Sequence, residues 1–440
     1  MLPRGGDPRD SEVHHLLPRR GLRSSHPLIS PAHLTRGSSM DSVSIEPTAP
    51  PAPDTAGRAG RLPVVLLLAG SCMPVLGAVL LAPVLPSMTQ AFAGTPGVEI
   101  LVPVVLTVPA LMIALFAPIA GAVADRVGRK TLLLIAMVLY SVFGTMPLWL
   151  DSLTAIVASR VGVGIAEAAI MTVCTTLITD YYTGKQRDKY LGMQVLVASL
   201  AATAFFALGG ALGAQGWRVP FWLYASAALI AIPMALVLWE PVRSTRQAES
   251  TPVPWRQVAV PSLVTLFGGV VFYALIVQLP YVLTDLGVTD VAVIGAGTAV
   301  ASLATATGAF GFRFVSGAGP ARLLPVAFGL AAVGLGVLWF ASSVPVALAG
   351  AVVTSAGTGL LLPTLLTWAV SGLRIEQRGR GTGIWTGSLY IGQFASPIVL
   401  GVAAAALGGL PVALGVLGIL AAVAAVAAAV GRPQRAVAAD

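Results

Sequence analysis

Apolar residues in this chain run in long, nearly uninterrupted blocks, without the alternation of a strand or the one-sided stripe of a surface helix. Blocks of about the 20 residues that a bilayer-spanning helix requires occur near 62–85, 101–120, 131–150, 152–178, 190–212 and 219–239. A second set follows near 258–283, 291–312, 322–341, 345–370, 382–406 and 409–430. Each block is far longer than a strand of a membrane barrel, and a lipid-exposed backbone must satisfy its own hydrogen bonds, so the blocks predict twelve transmembrane helices. The first long stretch is divided by SMTQAFAGTPGVE, whose Gly, Pro and polar residues predict a loop.

Composition agrees. Mean hydropathy is +0.86, 56% of residues are hydrophobic and 10% are charged, more apolar surface than a soluble core of this length needs. The charge is unevenly distributed. With both termini on the cytoplasmic side, the inner segments hold 18 of the 26 Lys and Arg, the outer loops hold Arg218 alone, Arg160 falls inside a span and six lie in the N-terminal tail. That asymmetry follows the preference of cytoplasmic loops for bases. It makes the net charge of +8 a topology signal, with no call for nucleic-acid binding.

Residues 1–57 differ in kind, carrying nine Pro and scattered Ser and Gly, and predict a disordered cytoplasmic tail. Met40 offers an alternative start. All four histidines (His14, His15, His26, His33) lie there, at spacings that match no common metal site. Cys72 and Cys174 both fall in spans and read as small apolar fillers, not a disulfide. The expected organisation is the tail, a first six-helix half over 58–239, a polar central loop over 240–257, a second half over 258–430 and a short tail over 431–440.

The loop GAVADRVGRK, residues 121–130, joins spans two and three. Its bases satisfy the topology rule, but its acid does not follow from it, and Gly121 and Gly128 permit a tight reversal. Here the sequence resembles the major facilitator superfamily, whose signature at this loop reads G-x-x-x-D-R-x-G-R-K. Gly121, Asp125, Arg126, Gly128, Arg129 and Lys130 match every fixed position. The resemblance extends through Arg160 and Gly164 in RVGVGIAEAA, where Val163 replaces the usual Gln, and through DYYTGKQRDKYLG with Asp180, Arg187 and Gly192. GWRVPFW before span six and EPVRSTRQAESTPVPWRQ between the halves fit as well.

The resemblance implies an all-α, twelve-span transporter in the bacterial inner membrane, working as a monomer, with a substrate site between the halves near the midplane. It also implies that the loop is a gate: Asp125 approaches the N-terminal end of span eleven, near Gly381 and Thr382, where free backbone N–H groups favour an anion. Export of a drug-like or metabolite solute in exchange for protons is the expected activity, because LAPVLPSM, the intact gate loop and the apolar cavity helices look most like bacterial exporters. Span five weakens that reading: AATAFFALGG keeps Gly209 and Gly210 but has Phe205 and Phe206 where antiporters of the family carry Gly-Pro. Import of a small organic solute and a non-transporting receptor remain alternatives. A membrane enzyme does not, since the spans hold no His, no paired acids and no glycine-rich nucleotide loop, and no cofactor is indicated.

Seventeen of the eighteen acids lie in tails, loops or helix ends; Glu167 alone sits deep in a span, roughly 22 Å from the outer end of span four at 1.5 Å per residue. An ionisable group at that depth faces a cavity or a partner, which makes Glu167 the candidate for proton coupling; a structural acid bonded to a neighbouring helix is the alternative. Arg160 lies two turns away, roughly 10 Å along the axis, too far for a direct pair. The resemblance implies that it supports proton transfer or fixes the packing of span four; the alternative is a base that extends its head outward. The resemblance places spans one, four, seven and ten around the cavity, with Met73, Met171, Thr175, Tyr273, Gln278, Thr358 and Trp368 as candidate lining residues.

Overall fold

The computed structural model describes residues 60–241 and 253–431, with the side chains of residues 375 and 376 left out. The histidine-bearing tail, most of the central loop and the C-terminal tail lie outside the described residues.

Twelve helices long and apolar enough to cross a membrane are present among the described residues, in the predicted order. Spans one to six are Arg61–Ala91, Val98–Val127, Arg129–Leu148, Leu153–Tyr181, Gly184–Gly213 and Val219–Val237. Spans seven to twelve are Trp255–Asp285, Val291–Ala318, Pro320–Trp339, Val344–Ser371, Gln377–Leu407 and Leu410–Gly431. Several helices run past their apolar blocks, because a helix satisfies its own backbone and need not stop where the lipid does. The loop predicted at SMTQAFAGTPGVE is accordingly shorter: Leu85–Ala91 is still helical, and the chain turns only over 92–97. Gly121 is likewise inside span two, so the reversal before span three falls on Gly128, whose φ of +107° favours glycine.

Large apolar side chains such as Leu229, Leu236, Leu263 and Val430 remain exposed on the outside of the bundle. In water such a surface would aggregate; against lipid it is the correct solvent-facing side. The interior holds one large cluster built mainly from the first six spans and two smaller ones from the last six. Spans one, four and seven are among the most buried.

The first and second sets of six helices meet closely at the end of the bundle opposite the Arg126–Lys130 loop. Spans five and eight touch backbone to backbone there: a Cβ on Gly210 would lie 2.6 Å from the Cα of Gly295. Gly213 packs against Val84 and Val291, and the hydroxyls of Thr89 and Tyr281 are 2.9 Å apart. Thr203 and Ser302 bond at 3.1 Å nearer the middle. Span five buries no described residue before Phe206 and span eight none after Ala304, so these helices separate toward the basic end. The bundle is closed at one end and parted at the other.

Candidate functional site

A cavity of about 590 Å³ lies between the two sets of helices, lined from spans one, two, four, five, seven, eight, ten and eleven. The lining is mostly aliphatic, with aromatic rings from Phe206, Phe272, Tyr273, Trp385 and Tyr390. Three of its hydroxyls are spent locally, since Ser199, Thr298 and Thr305 donate to carbonyls one turn back in their own helices. Among the described residues Glu167 is the one acid or base in the lining.

Glu167 sits midway between Leu153 and Tyr181, with 1% of its surface exposed. Its carboxylate reaches span one at Gly77, where a Cβ would overlap Oε1. Only a residue without a side chain lets the carboxylate approach so closely. Among the described residues Glu167 forms no ion pair, and Oε1 is buried without a hydrogen-bond partner. Burying a carboxylate without partners costs several kcal/mol at the scale of about 1–3 kcal/mol per lost hydrogen bond, more when charged, which an adjoining ligand, proton or cation would offset.

Arg160 does not pair with Glu167 and does not reach outward. It is buried, donates from Nη2 to the carbonyls of Phe143 and Gly144 at 2.9 and 3.0 Å, and stacks over Phe221 and Tyr224 with its Cζ 5.2 and 5.0 Å from the ring centres. It therefore pins the end of span three to span four and the start of span six. Arg160→Met keeps the length but leaves two buried carbonyls without a donor. The expected cost is about 3 kcal/mol, the upper range for a hydrogen bond to a charged group, read as a lower melting temperature in detergent. If transport per folded molecule is retained, packing is the whole of its role; a lost response to pH with unchanged melting would assign it to proton transfer.

Of the other cavity candidates, Tyr273 lines the space and donates to Ala78 O at 2.6 Å, bridging spans seven and one. Met171 is not part of the lining, though its sulfur accepts from the hydroxyl of Tyr390, which is, at 3.5 Å. Met73 is directed toward spans three and six, where its carbonyl accepts from Tyr140 and its sulfur faces Ser226. Thr175 bonds Gln194 of span five, which also reaches Ser71 of span one. Thr358 donates within its own helix, Trp368 packs in the apolar cluster around Leu361 and Leu365, and Gln278 is buried; none of these three lines the cavity. Sequence reasoning passed over span eleven, whose Trp385, Leu389 and Gln393 all face the cavity. Their spacing of four residues was a legible stripe, but the surrounding Gly, Ser and Thr gave it little contrast.

At the basic end, Arg129 bridges Asp180 of span four and, at 3.4 Å, Asp125. The carboxylate of Glu240 accepts from the backbone N–H groups of Arg129 and Lys130 at 2.6 and 2.9 Å, capping the first turn of span three. Lys130 Nζ donates to Ala235 O at 2.8 Å. The loop is thus tied to spans four and six. Asp125 itself has a 69% exposed side chain, and no hydrogen bond or ion pair joins it to Gly381 or Thr382 among the described residues.

A family model, the Major Facilitator Superfamily, matches residues 67–318 and 261–439. The chain is 26% identical over 210 residues to the class H tetracycline resistance protein of Pasteurella multocida, covering 46% of this chain and 51% of that one. It is 26% identical over 165 residues to the quinolone resistance protein NorA of Staphylococcus aureus, covering 36% and 42%. The matches thus span about half the length of these curated relatives or less. Among solved structures, a bacterial homologue of the human lysosomal transporter Spinster, inward-facing and unoccupied, superposes with a TM-score of 0.72 at 19% identity, covering 88% of this chain and all of that one. A D-xylose–proton symporter gives 0.69 at 14% identity, covering 82% and 96%. At such identities these structures carry the fold alone.

Proposed function

Since the chain belongs to the major facilitator superfamily, a family of transporters and not enzymes, we propose that it exports a small, largely apolar solute across the bacterial cytoplasmic membrane in exchange for protons. The observation that carries this reading is a cavity between the two sets of helices holding a single, unpartnered carboxylate. A charge there is expensive unless it is used, and it is placed to meet either a proton or a solute. The Arg- and Lys-rich loops put the Arg126–Lys130 end in the cytoplasm. On this reading the closed end is external, and the parted basic end supports an inward-facing state of an alternating-access cycle. The relatives that match are named for resistance to tetracycline and quinolones, which favours export of drug-like molecules over the import of a hydroxyl-rich solute.

The test is flux. The purified full chain in proteoliposomes is expected to concentrate a lipophilic dye into the acidic lumen when a pH gradient is imposed, and to stop when the gradient is collapsed. Concentration against the opposite gradient polarity would establish the importer instead, and no flux with any of several chemically distinct solutes would remove transport of apolar molecules as the function.

In this scheme the Asp125 loop is the latch of the alternate state. Its acid, exposed here, engages the N-terminal end of span eleven near Gly381 and Thr382 when the cytoplasmic side closes. Asp125→Asn keeps the anchors through Arg129, Lys130 and Glu240, so folding is retained while the inward-facing population rises and turnover slows several-fold, within the about 0.3–1 kcal/mol of a charge at a helix end. Labelling of a cysteine on the cytoplasmic half of span eight reports it; normal labelling with normal transport would remove the latch.

A further inference from the structure

Span one is not a single continuous helix. It breaks at Cys72 into Arg61–Ser71 and Met73–Val79, because Pro74 has no N–H to give to the turn before it. A side chain from another span holds this joint: the hydroxyl of Tyr140, on span three, donates to Met73 O at 2.7 Å. Glu167 presses on the same short segment, its carboxylate filling the notch at Gly77, and the Tyr140 hydroxyl lies 3.5 Å from the point that a Cβ on Gly77 would occupy. Donor and carboxylate therefore meet at one turn of span one. Yet among the described residues Glu167 Oε1 is buried with no partner, while the hydroxyl is spent on a carbonyl. A neutral acid tolerates that arrangement better than an anion, for which burial without a donor is far more costly.

The other titratable groups around Glu167 are Tyr224 on span six, Tyr273 on span seven, Tyr390 on span eleven and Arg160 on its own helix. Each is engaged elsewhere. Tyr224 packs on the Tyr140 ring at 5.1 Å between centres and lies under the Arg160 guanidinium. Tyr273 donates to Ala78 O, Tyr390 meets the Met171 sulfur, and Arg160 holds two carbonyls of span three. The Tyr140 hydroxyl is the nearest atom of any other span to the notch that Glu167 fills.

We propose that Tyr140 is a positioning residue with two acceptors, which makes the joint in span one answer to the protonation of Glu167. With the acid neutral, the hydroxyl holds Met73 O, as it does here. When the proton leaves Glu167 for solvent, the hydroxyl turns to the carboxylate and releases the joint. Tyr140 keeps its own proton throughout, and only its acceptor changes. This rests on Glu167 exchanging a proton, as in the transport reading above, and adds what that proton does to a helix.

The experiment follows the protonated-carboxyl stretch of Glu167 by infrared spectroscopy across a pH series, on the purified full chain in detergent with neither solute nor gradient. The band is assigned by its loss in Glu167→Gln. Tyr140→Phe keeps the ring against Tyr224 and removes only the hydroxyl. Its Glu167 band is expected to persist to a pH higher by about one unit, the value of exchanging a neutral acceptor for a charged one, because the anion has lost its donor. Tyr273→Phe removes a hydroxyl equally engaged with a span-one carbonyl and should leave the midpoint where it is. Should Tyr140→Phe fail to fold, 3-fluorotyrosine placed at position 140 keeps the size and strengthens the donor, and the midpoint should then fall. A midpoint that stays put in either position-140 variant, or moves equally in Tyr273→Phe, would overturn the switch while leaving proton exchange at Glu167 standing. A Glu167 band that does not titrate at any pH would remove that exchange, and the switch with it.

Discussion

Glu167→Gln is expected to abolish gradient-driven accumulation in vesicles while leaving downhill exchange of substrate largely intact. The side chain keeps its size and its place against Gly77, so the cavity and the packing of span four on span one are retained. What is lost is the ability to gain and release a proton. A carrier that alternates between two faces converts a pH gradient into work only if some group binds a proton on one side and frees it on the other, and among the described residues Glu167 is the one acid or base lining the cavity. The neutral variant still presents its binding surface to either side, so solute equilibrates until the two concentrations are equal. Counterflow measures the first property and accumulation under an imposed pH gradient the second. If accumulation survives, Glu167 is a structural acid and coupling runs through another group; if counterflow fails as well, the acid is needed for binding or folding.

A second large effect is expected from a side chain placed in the closed end. The Cβ of a residue at 295 would lie 2.6 Å from the Cα of Gly210 and 2.8 Å from the carbonyl oxygen of Phe206. Both neighbours are backbone and cannot rotate aside, so spans five and eight must separate to admit even a methyl group. Overpacking a close contact costs about 1–3 kcal/mol, and if the contact exists only in the inward-facing state that cost moves the equilibrium toward the outward-facing state by roughly 5- to 150-fold. Gly295→Val should therefore expose a cysteine placed at Thr89 to a membrane-impermeant reagent from the outside and reduce turnover. It should also be partly rescued by Asp125→Asn, which weakens the opposite closure. Unchanged labelling at 89 with normal transport would mean that this contact persists throughout the cycle and seals nothing.

Much of the site was hidden for a reason visible in these residues. Glu167 was legible because a carboxylate stands out in an apolar block. Trp385 and Gln393 were not, since an isolated aromatic or amide in a helix has many uses and nothing local says which way it points. Met73, Gln278, Thr358 and Trp368 show the same difficulty from the other side: each lies in a span that lines the cavity, and each is turned away from it by a rotation about the helix axis that apolar surroundings on every side do not encode. Arg160 shows it again, since distance along the helix correctly separated it from Glu167, but its true partners, the carbonyls of Phe143 and Gly144, belong to another span.

What sequence alone determined is what the solvent determines. The length of each apolar block follows from the thickness of lipid it must cross, and the family from a charged loop with fixed spacing. Those constraints act on one segment at a time and can be read from it. The closed end, the notch at Gly77 and the share of span eleven in the cavity lining are relations between helices far apart in the chain. They were decided only in the tertiary structure, because packing inside a membrane rests on close fit between surfaces that are all apolar, and such fit leaves almost no mark on composition.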